Sequence, residues 1–322
     1  MREVKIRLFF FIAALLAALS ACTAAEQAGN GGSPNLSPET MRMDMVPVAA
    51  GMPAYEMPEA DAPGTLVERN EKAVLDWSNT ADGYVMLRYL GDSDKVKAII
   101  TGPSGKGYTY NLNIAGEYDV FPLSDGSGSY SAGVYENVSG EKYSTAFLYD
   151  FDVELSDEFA PFLRPNKYVD FTSDSETAKK AAELTARCAD TVEMVGAVYK
   201  FTVGNISYDY ELAETVRSGY IPDVDSVLAS GRGICFDYAA LMTAMLRSLG
   251  IPTKLVVGYT GSLYHAWIST YSEKSGWVEA SIYFDGSQWK LMDPTFAAGA
   301  GSDKRITEYI GNGVNYSARY IY

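Results

Sequence analysis

The sequence predicts an α+β protein in which a small β-sandwich precedes a region that packs one central helix on an antiparallel sheet. Three observations predict this. Short apolar and aromatic runs recur about every ten residues from Thr65 to Leu155, a helical apolar stripe runs from Cys235 to Leu249, and strand patterns dominate after Thr253. With 322 residues, 47% of them hydrophobic, the chain is long enough for about two domains with their own cores.

The first domain is predicted to span residues 65–158. About seven strand-like runs are separated by turn signals such as Asp82-Gly83 and Ser139-Gly140, and no run has a helical period. This spacing is typical of a small immunoglobulin-like sandwich. The runs are 73–77, 84–89, 96–101, 108–112, 118–123, 130–135 and 143–155. The segment contains no histidine or cysteine, so we expect a packing or spacer role, with a binding role left open.

The N-terminus is predicted to be an export signal over residues 1–21. Three basic residues lie among the first seven positions, and the apolar run from Leu8 to Leu19 is shorter than the roughly 20 residues of a membrane-spanning helix. The run ends in Leu19-Ser20-Ala21-Cys22, which resembles the lipobox of bacterial lipoproteins. The resemblance implies a lipid on Cys22 and a protein anchored at the extracytoplasmic face of a bacterial cell membrane. An ordinary secretory signal and a retained hydrophobic helix are the alternatives.

Residues 22–64 are predicted to form a flexible tether. The segment is rich in proline, and methionine is its main large apolar residue. Such a composition cannot bury enough apolar surface to offset the loss of chain entropy. Its methionines could bind copper, but they lack an accompanying histidine and are more simply incidental.

Composition also excludes several classes of function. The formal net charge is −15 and no basic patch appears, which argues against a nucleic-acid partner. One histidine and three cysteines are too few for the common zinc sites, so we expect neither a metal nor a cofactor. Any mechanism that needs an imidazole has a single candidate.

The second domain, predicted over residues 159–322, begins with helices and ends with strands. Residues 175–187 and 190–201 have helical patterns, and residues 235–249 have apolar side chains on nearly every face, so the last helix should be central and buried. Gly250 and Pro252 supply a typical helix end. The strands are expected at 253–259, 265–271, 277–284, 288–292 and 316–322.

The candidate chemistry centres on Cys235. It follows the turn Gly231-Arg232-Gly233 and begins the buried helix, where free backbone N–H groups and the helix dipole favour a thiolate. A nucleophilic thiol needs a base and a group that orients the base. His265 is the only imidazole, and Asp293 ends a strand just before Pro294. Neighbouring antiparallel strands could bring His265 and Asp293 side by side.

These residues and their surroundings resemble the transglutaminase-like superfamily. The matching segments are Gly231 to Cys235 with Tyr238-Ala239, Met245 to Pro252, Val257 to Tyr259, His265 to Trp267, and Trp289 with Met292 to Thr295. The resemblance covers about residues 170 to 322. It implies a papain-like core with Cys235 as nucleophile, His265 as base and Asp293 as orienter. It further implies acyl transfer or hydrolysis at peptide or protein amides, through a thioester on Cys235.

One position departs from the amine-transferring animal members of that superfamily. They use a tryptophan upstream of the nucleophile as an oxyanion donor, whereas the only tryptophan before Cys235 here is Trp77, in the β-domain. Tyr208 or Tyr210 could substitute through a phenol O–H, or could simply be packing residues. No calcium-binding loop like those of the animal enzymes is recognisable.

Other interpretations of these residues remain open. Cys188 could be a small buried side chain, or could form a disulfide with Cys235, which an exported protein permits. His265 could be a core histidine. The whole protein could be a non-catalytic scaffold or envelope peptide-binding protein that keeps the fold, or a cysteine protease proper.

Overall fold

The computed structural model describes Tyr55 and residues 57–272, 276–278, 283–284, 289–290 and 316–322. Its strands are β1 (Val67–Arg69), β2 (Ala73–Asp76), β3 (Tyr84–Tyr89), β4 (Val96–Thr101), β5 (Gly107–Asn111), β6 (Tyr118–Pro122), β7 (Gly128–Ser139), β8 (Lys142–Val153), β9 (Ser207–Tyr208), β10 (Arg232–Gly233), β11 (Thr253–Thr260), β12 (Leu263–Ser272), β13 (Gly276–Val278), β14 (Tyr283–Phe284), β15 (Trp289–Lys290) and β16 (Tyr316–Ile321). Its helices are α1 (Glu176–Thr185), α2 (Thr191–Asn205), α3 (Tyr210–Thr215), α4 (Val224–Ser230) and α5 (Cys235–Ser248). Short 3₁₀ turns cover Thr80–Asp82 and Ala160–Phe162.

The β-rich first part is a sandwich of two four-stranded antiparallel sheets. Their strand orders are β1-β2-β3-β6 and β5-β4-β7-β8. The non-consecutive neighbours β3 with β6 and β4 with β7 show that the chain crosses between sheets, as in a Greek key. Tyr110 of one sheet meets Phe121 of the other edge to face, with ring centroids 4.7 Å apart. The predicted immunoglobulin-like sandwich is confirmed, with β1 as an additional short strand.

The second part is built around α5. This helix packs on β11 and β12 of a sheet ordered β13-β12-β11-β16, and α1, α2 and α4 also pack against it. Every residue from Asp237 to Ser248 is buried, because small and apolar side chains occupy all faces of the helix. The predicted central helix on an antiparallel sheet is confirmed.

Arg247 is a fully buried cation near the end of α5. Its guanidinium donates hydrogen bonds to the carbonyl oxygens of Thr253, Arg164 and Tyr322 at 2.9, 2.7 and 2.7 Å. Burial is the largest influence on its pKa and lowers it. These three hydrogen bonds offset the free-energy cost of burying the charge. Arg247 therefore holds the helix end, the connector after the sandwich and the last strand together.

Aromatic side chains join the sandwich to the second part. Tyr108 of β5 meets the rings of Tyr320 and Tyr322 at centroid distances of 5.5 and 5.7 Å. Tyr168 stacks on Tyr110 at 5.5 Å and contacts Phe236, the residue after Cys235, at 5.3 Å. Ring-to-ring contacts therefore connect the sandwich to the first turn of α5.

The described end of the predicted tether makes specific contacts. The ring of Tyr55 lies against Gly250, where an added Cβ would come within 2.8 Å of it. Glu59 accepts a hydrogen bond from the hydroxyl of Ser173 at 3.1 Å, and the backbone carbonyl of Asp61 accepts one from the Asn79 side chain at 2.8 Å. Within the described ranges no helix is long and apolar enough to cross a membrane.

Candidate active site

The nucleophile candidate Cys235 is positioned by the turn that precedes α5. Gly231 ends α4 in the left-handed conformation, with φ of +63°, which favours glycine. The chain then forms β10, which pairs in parallel with β9. The backbone N–H groups of Ser207 and Asp209 donate to the carbonyls of Gly231 and Gly233 at 2.8 and 2.9 Å. This pairing fixes the entry to α5 and brings Tyr208 beside it.

Asp237 closes the first turn of α5 from inside the protein. Its carboxylate is fully buried and accepts from the backbone N–H of Ile234 and from the hydroxyl of Tyr220, both at 2.8 Å. Burial is the main cause of its raised pKa, while these two hydrogen bonds act in the opposite direction. A Cβ on Gly233 would come within 2.6 Å of the Asp237 Cβ, so only glycine fits at that position without a shift.

Cys235 is half-buried at the start of α5, where the first backbone N–H groups have no partner within the helix. Tyr208 on β9 lies opposite Gly233, two residues before Cys235. Burial, with a contribution from Cys235, raises the pKa of Tyr208 and of Tyr264 on β12. Burial is the main cause of the raised pKa of Tyr208, and Cys235 is the second. Tyr208 therefore keeps its proton at neutral pH and can act as a hydrogen-bond donor beside the thiol.

His265 lies on β12, the strand that packs on α5. Its side chain is 4% exposed, and its ring lies nearly parallel to that of Trp267 with centroids 6.4 Å apart. Directly across the ladder on β11 is Gly258. A Cβ on Gly258 would lie 2.1 Å from the Ser317 carbonyl oxygen and 2.9 Å from the Trp267 ring. Glycine therefore lets β16 pair closely with β11 at the position that faces His265.

The other predicted site residues divide into two groups. Asp293 and Cys22 lie outside the described residues, so their roles stay predictions, as do those of Cys235 and His265. Cys188 and Cys235 are both free thiols, which rules out the disulfide alternative between them in this structure. In the described part of the chain, no group of three or more His, Cys, Asp or Glu side chains could hold a metal ion.

Sequence reasoning missed two residues that shape this site, Asp237 and Tyr220. The signal for Asp237 was available, since an acidic residue in the first turn of a helix satisfies free backbone N–H groups. The signal for Tyr220 was absent, because it reaches Asp237 from a loop 17 residues away. The structure also separates Tyr208, which is part-buried near Cys235, from Tyr210, which is 63% exposed.

Comparison with known proteins gives a family match for this part of the chain. Residues 178–294 match the family described as the Transglutaminase-like superfamily. An uncharacterized protein of Mycobacterium leprae is 36% identical over 105 residues, which are 30% of this chain and 34% of the relative. The uncharacterized protein YebA of Bacillus subtilis is 30% identical over 118 residues, 30% of this chain and 16% of the relative. The match thus spans 34% and 16% of the lengths of these two curated relatives.

Solved structures with some similarity include the periplasmic domain of TgpA from Pseudomonas aeruginosa. It is 15% identical, with a TM-score of 0.32, over 76% of this chain and 99% of that one. A red sea bream transglutaminase is 14% identical, with a TM-score of 0.27, over 73% of this chain and 54% of that one. The matched segment 178–294 contains Cys235, His265 and Asp293, and this segment of the chain is a domain of the transglutaminase-like superfamily.

Proposed function

We propose that this protein is a thiol enzyme that transfers or hydrolyses acyl groups at peptide or protein amides through Cys235. The observation that carries the proposal is the start of α5. A half-buried free thiol lies at the N-terminus of a buried helix that packs on the strand bearing the chain's only histidine. Helix N-termini stabilise thiolates, and acyl transfer needs a thiolate with a nearby base.

In the proposed reaction His265 takes the proton of the Cys235 thiol, and the sulfur attacks the carbonyl carbon of a carboxamide to form a C–S bond. The tetrahedral intermediate collapses, the C–N bond breaks, and His265 gives its proton to the departing amine or ammonia. Water or a second amine then attacks the thioester, passes a proton to His265, and releases Cys235. Asp293 is the proposed partner that orients the imidazole, by the resemblance of its motif.

The negative oxygen of the tetrahedral intermediate needs hydrogen-bond donors. Backbone N–H groups at the first turn of α5 can supply one. We propose Tyr208 as the second donor, because its phenol keeps its proton and the pairing of β9 with β10 sets Tyr208 opposite Gly233, two residues before Cys235. Tyr210 contacts the Tyr208 ring at 5.1 Å and is mostly exposed, which suits a supporting role.

A screen of peptide mixtures by mass spectrometry tests the proposed activity. The protein is incubated with glutamine- and asparagine-containing peptides, with and without a primary amine such as putrescine. Cleavage, deamidation or amine incorporation with the wild-type protein, and none with Cys235→Ala, is the expected result. Equal products with both proteins would contradict catalysis by Cys235. No product with either protein across the mixture would favour the alternative of a non-catalytic scaffold or envelope peptide-binding protein.

We also propose that the protein acts outside the cytoplasmic membrane, tethered by a lipid on Cys22. The support is the sequence Leu19-Ser20-Ala21-Cys22 directly after an apolar run. Expressed in a bacterial host, the protein is expected to partition into the detergent phase of Triton X-114, with a diacylglyceryl-modified N-terminal peptide. The variant Cys22→Ala should partition into the aqueous phase, and detergent partitioning of both would contradict the anchor.

A further inference from the structure

The loop between α3 and α4 contacts the sandwich at one residue and the first turn of α5 at the next. A turn spans Arg217 to Tyr220 and is closed by a hydrogen bond of 3.2 Å from the Tyr220 backbone N–H to the Arg217 carbonyl. Gly219, its third residue, has a φ of +91°, and a positive φ at this position is typical of a type II turn. The turn therefore sets the backbone direction at two adjacent residues that contact different parts of the protein.

Gly219 lies against Asn111, the last residue of β5 in the sandwich. An added Cβ on Gly219 would lie 1.7 Å from Nδ2 and 2.9 Å from Cγ of Asn111, so only glycine allows this approach without a shift. The Asn111 amide is itself held in place. Lys97, its partner across the ladder on β4, donates a hydrogen bond from Nζ to the amide oxygen. The amide nitrogen then faces Gly219, and the sandwich fixes the position of the turn.

Tyr220 reaches from the same turn to the start of α5. Its hydroxyl donates to one carboxylate oxygen of Asp237 at 2.8 Å, while the other oxygen accepts from the Ile234 backbone N–H at 2.8 Å. Burial raises the pKa of Tyr220, so its hydroxyl keeps the proton and remains a donor at neutral pH. Asp237 is fully buried, and a buried carboxylate depends on such donors. Tyr220 therefore fixes the carboxylate that closes the turn around Cys235.

A second series of contacts from β5 ends at the same turn of α5. Tyr110, the residue before Asn111, stacks on Tyr168 at a centroid distance of 5.5 Å. Tyr168 in turn contacts Phe236 at 5.3 Å, and Phe236 directly follows Cys235. Two adjacent residues of one sandwich strand are thus connected to the first turn of α5 by independent contacts.

We propose that Tyr220 is a positioning residue for Cys235. The sandwich holds Tyr220 in place through the contact of Asn111 with Gly219. This inference rests on the proposed function, since the role of Tyr220 is to help present the thiol that attacks the amide. Tyr220 acts through Asp237, whose carboxylate closes the first turn, so that the thiol and the neighbouring backbone N–H groups keep a fixed direction. The sandwich is then a required part of the catalytic unit and not only a spacer.

Alkylation of Cys235 by iodoacetamide at a series of pH values tests the role of Tyr220. In Tyr220→Phe the rate near pH 7 should fall about two- to fivefold and its rise should move to higher pH, because a loosened helix start stabilises a thiolate less well. The rate at the free thiol Cys188 should not change, which separates a local effect from general destabilisation. Tyr84→Phe is the matched control and should react like the wild type. The Tyr84 hydroxyl, on β3 of the sandwich, also donates to a carboxylate, that of Asp61 at 3.2 Å.

Hydrogen–deuterium exchange of the amides of residues 234–238 is a second measurement, and it does not depend on thiol chemistry. Exchange should be faster than in the wild type for Tyr220→Phe, because the closing carboxylate loses a donor. It should also be faster for Gly219→Ala, whose new Cβ meets Asn111 and displaces the turn. Gly116→Ala is the matched control, because Gly116 has a similar φ of +82° but a Cβ there has open space.

The two measurements separate this inference from the proposed function. If wild-type Cys235 reacts fast, an unchanged rate in Tyr220→Phe, or the same loss in Tyr84→Phe, would overturn the role of Tyr220. Equal exchange in Gly219→Ala and Gly116→Ala would overturn the role of the sandwich. If wild-type Cys235 reacts no faster than Cys188, the proposed function fails, and unchanged exchange in Tyr220→Phe would independently show that Tyr220 does not hold the turn.

Discussion

The carboxylate of Asp237 accepts a hydrogen bond of 2.8 Å from the backbone N–H of Ile234, three residues earlier in the chain. This contact joins the residue before Cys235 to the residue two positions after it. It therefore closes the first turn of α5 on the buried side. Tyr220 donates to the second carboxylate oxygen. The geometry of the proposed nucleophile therefore depends on a buried acid that does not itself take part in the chemistry.

Replacing Asp237 with alanine should destabilise the protein and loosen the start of α5. The change leaves the Ile234 N–H and the Tyr220 hydroxyl without their acceptor, which costs on the order of 2 to 4 kcal/mol of unfolding free energy. Urea unfolding followed by circular dichroism measures it. The control Asp150→Ala, at an exposed position of β8, should change the unfolding free energy by less than about 0.5 kcal/mol. A loss for Asp237→Ala no larger than the control would contradict this role.

Gly233 and Gly196 should respond to alanine in opposite directions. At Gly233 the new Cβ meets Asp237 at 2.6 Å, so Gly233→Ala should lower the unfolding free energy by about 1 to 3 kcal/mol. At Gly196, in the middle of α2, a Cβ has open space, and Gly196→Ala should raise it by about 0.5 to 1 kcal/mol. Thermal unfolding of the two variants distinguishes them, and a Gly233→Ala variant at least as stable as the wild type would show that the Asp237 contact is unimportant.

Tyr208→Phe tests the proposed oxyanion donor. Removing one such donor typically lowers kcat by about 10²-fold, because the donor acts mainly in the transition state. We expect that loss with little change in KM on any amide substrate that the screen finds, and an unchanged rate of Cys235 alkylation, since alkylation forms no oxyanion. Tyr210→Phe, two residues away and mostly exposed, is the matched control and should retain near-normal kcat. Equal kcat for the wild type and Tyr208→Phe would remove Tyr208 from the mechanism.

Arg247→Met should be among the most destabilising single changes in the second part of the protein. Three buried carbonyl oxygens lose their donor, which costs on the order of 3 kcal/mol or more. The exposed Arg187, after α1, offers a matched Arg187→Met control with an expected change below about 0.5 kcal/mol. Chemical unfolding of the purified variants provides the measurement. An equal change in unfolding free energy for Arg247→Met and Arg187→Met would mean that the three hydrogen bonds contribute little.

The elements with strong periodicity were predictable from the sequence. The helix expected from Cys235 to Leu249 forms as Cys235–Ser248, and the strand expected at 253–259 forms as Thr253–Thr260. The sandwich strands follow from alternating side chains bounded by glycine turns, and β3 and β4 form with the expected ends. In each case one local pattern and the tertiary burial favour the same structure.

Features that depend on a single long-range contact were not predictable. The strands β9 and β10 have two residues each, too few to show a period, yet their pairing aligns Tyr208 with Gly233. Arg247 is charged and would be expected at the surface, but it is buried and donates to main-chain oxygens of the nearby Thr253 and of the distant Arg164 and Tyr322. The pairing of β16 with β11 likewise joins two strands that are far apart in the sequence, so no local pattern identifies the partner.

Alkylation of the wild-type protein by iodoacetamide near pH 7, followed by peptide mapping, tests the central claim most directly. Cys188 is an internal control, because it is a half-buried free thiol whose pKa is raised by burial and by Glu193 and Asp190. Cys235 should react roughly tenfold faster than Cys188 or more, and His265→Ala should bring its rate down to that of an ordinary thiol while Cys188 is unaffected. Equal rates at Cys235 and Cys188 in the wild type, or a Cys235 rate unchanged by His265→Ala, would contradict the proposed nucleophile and base.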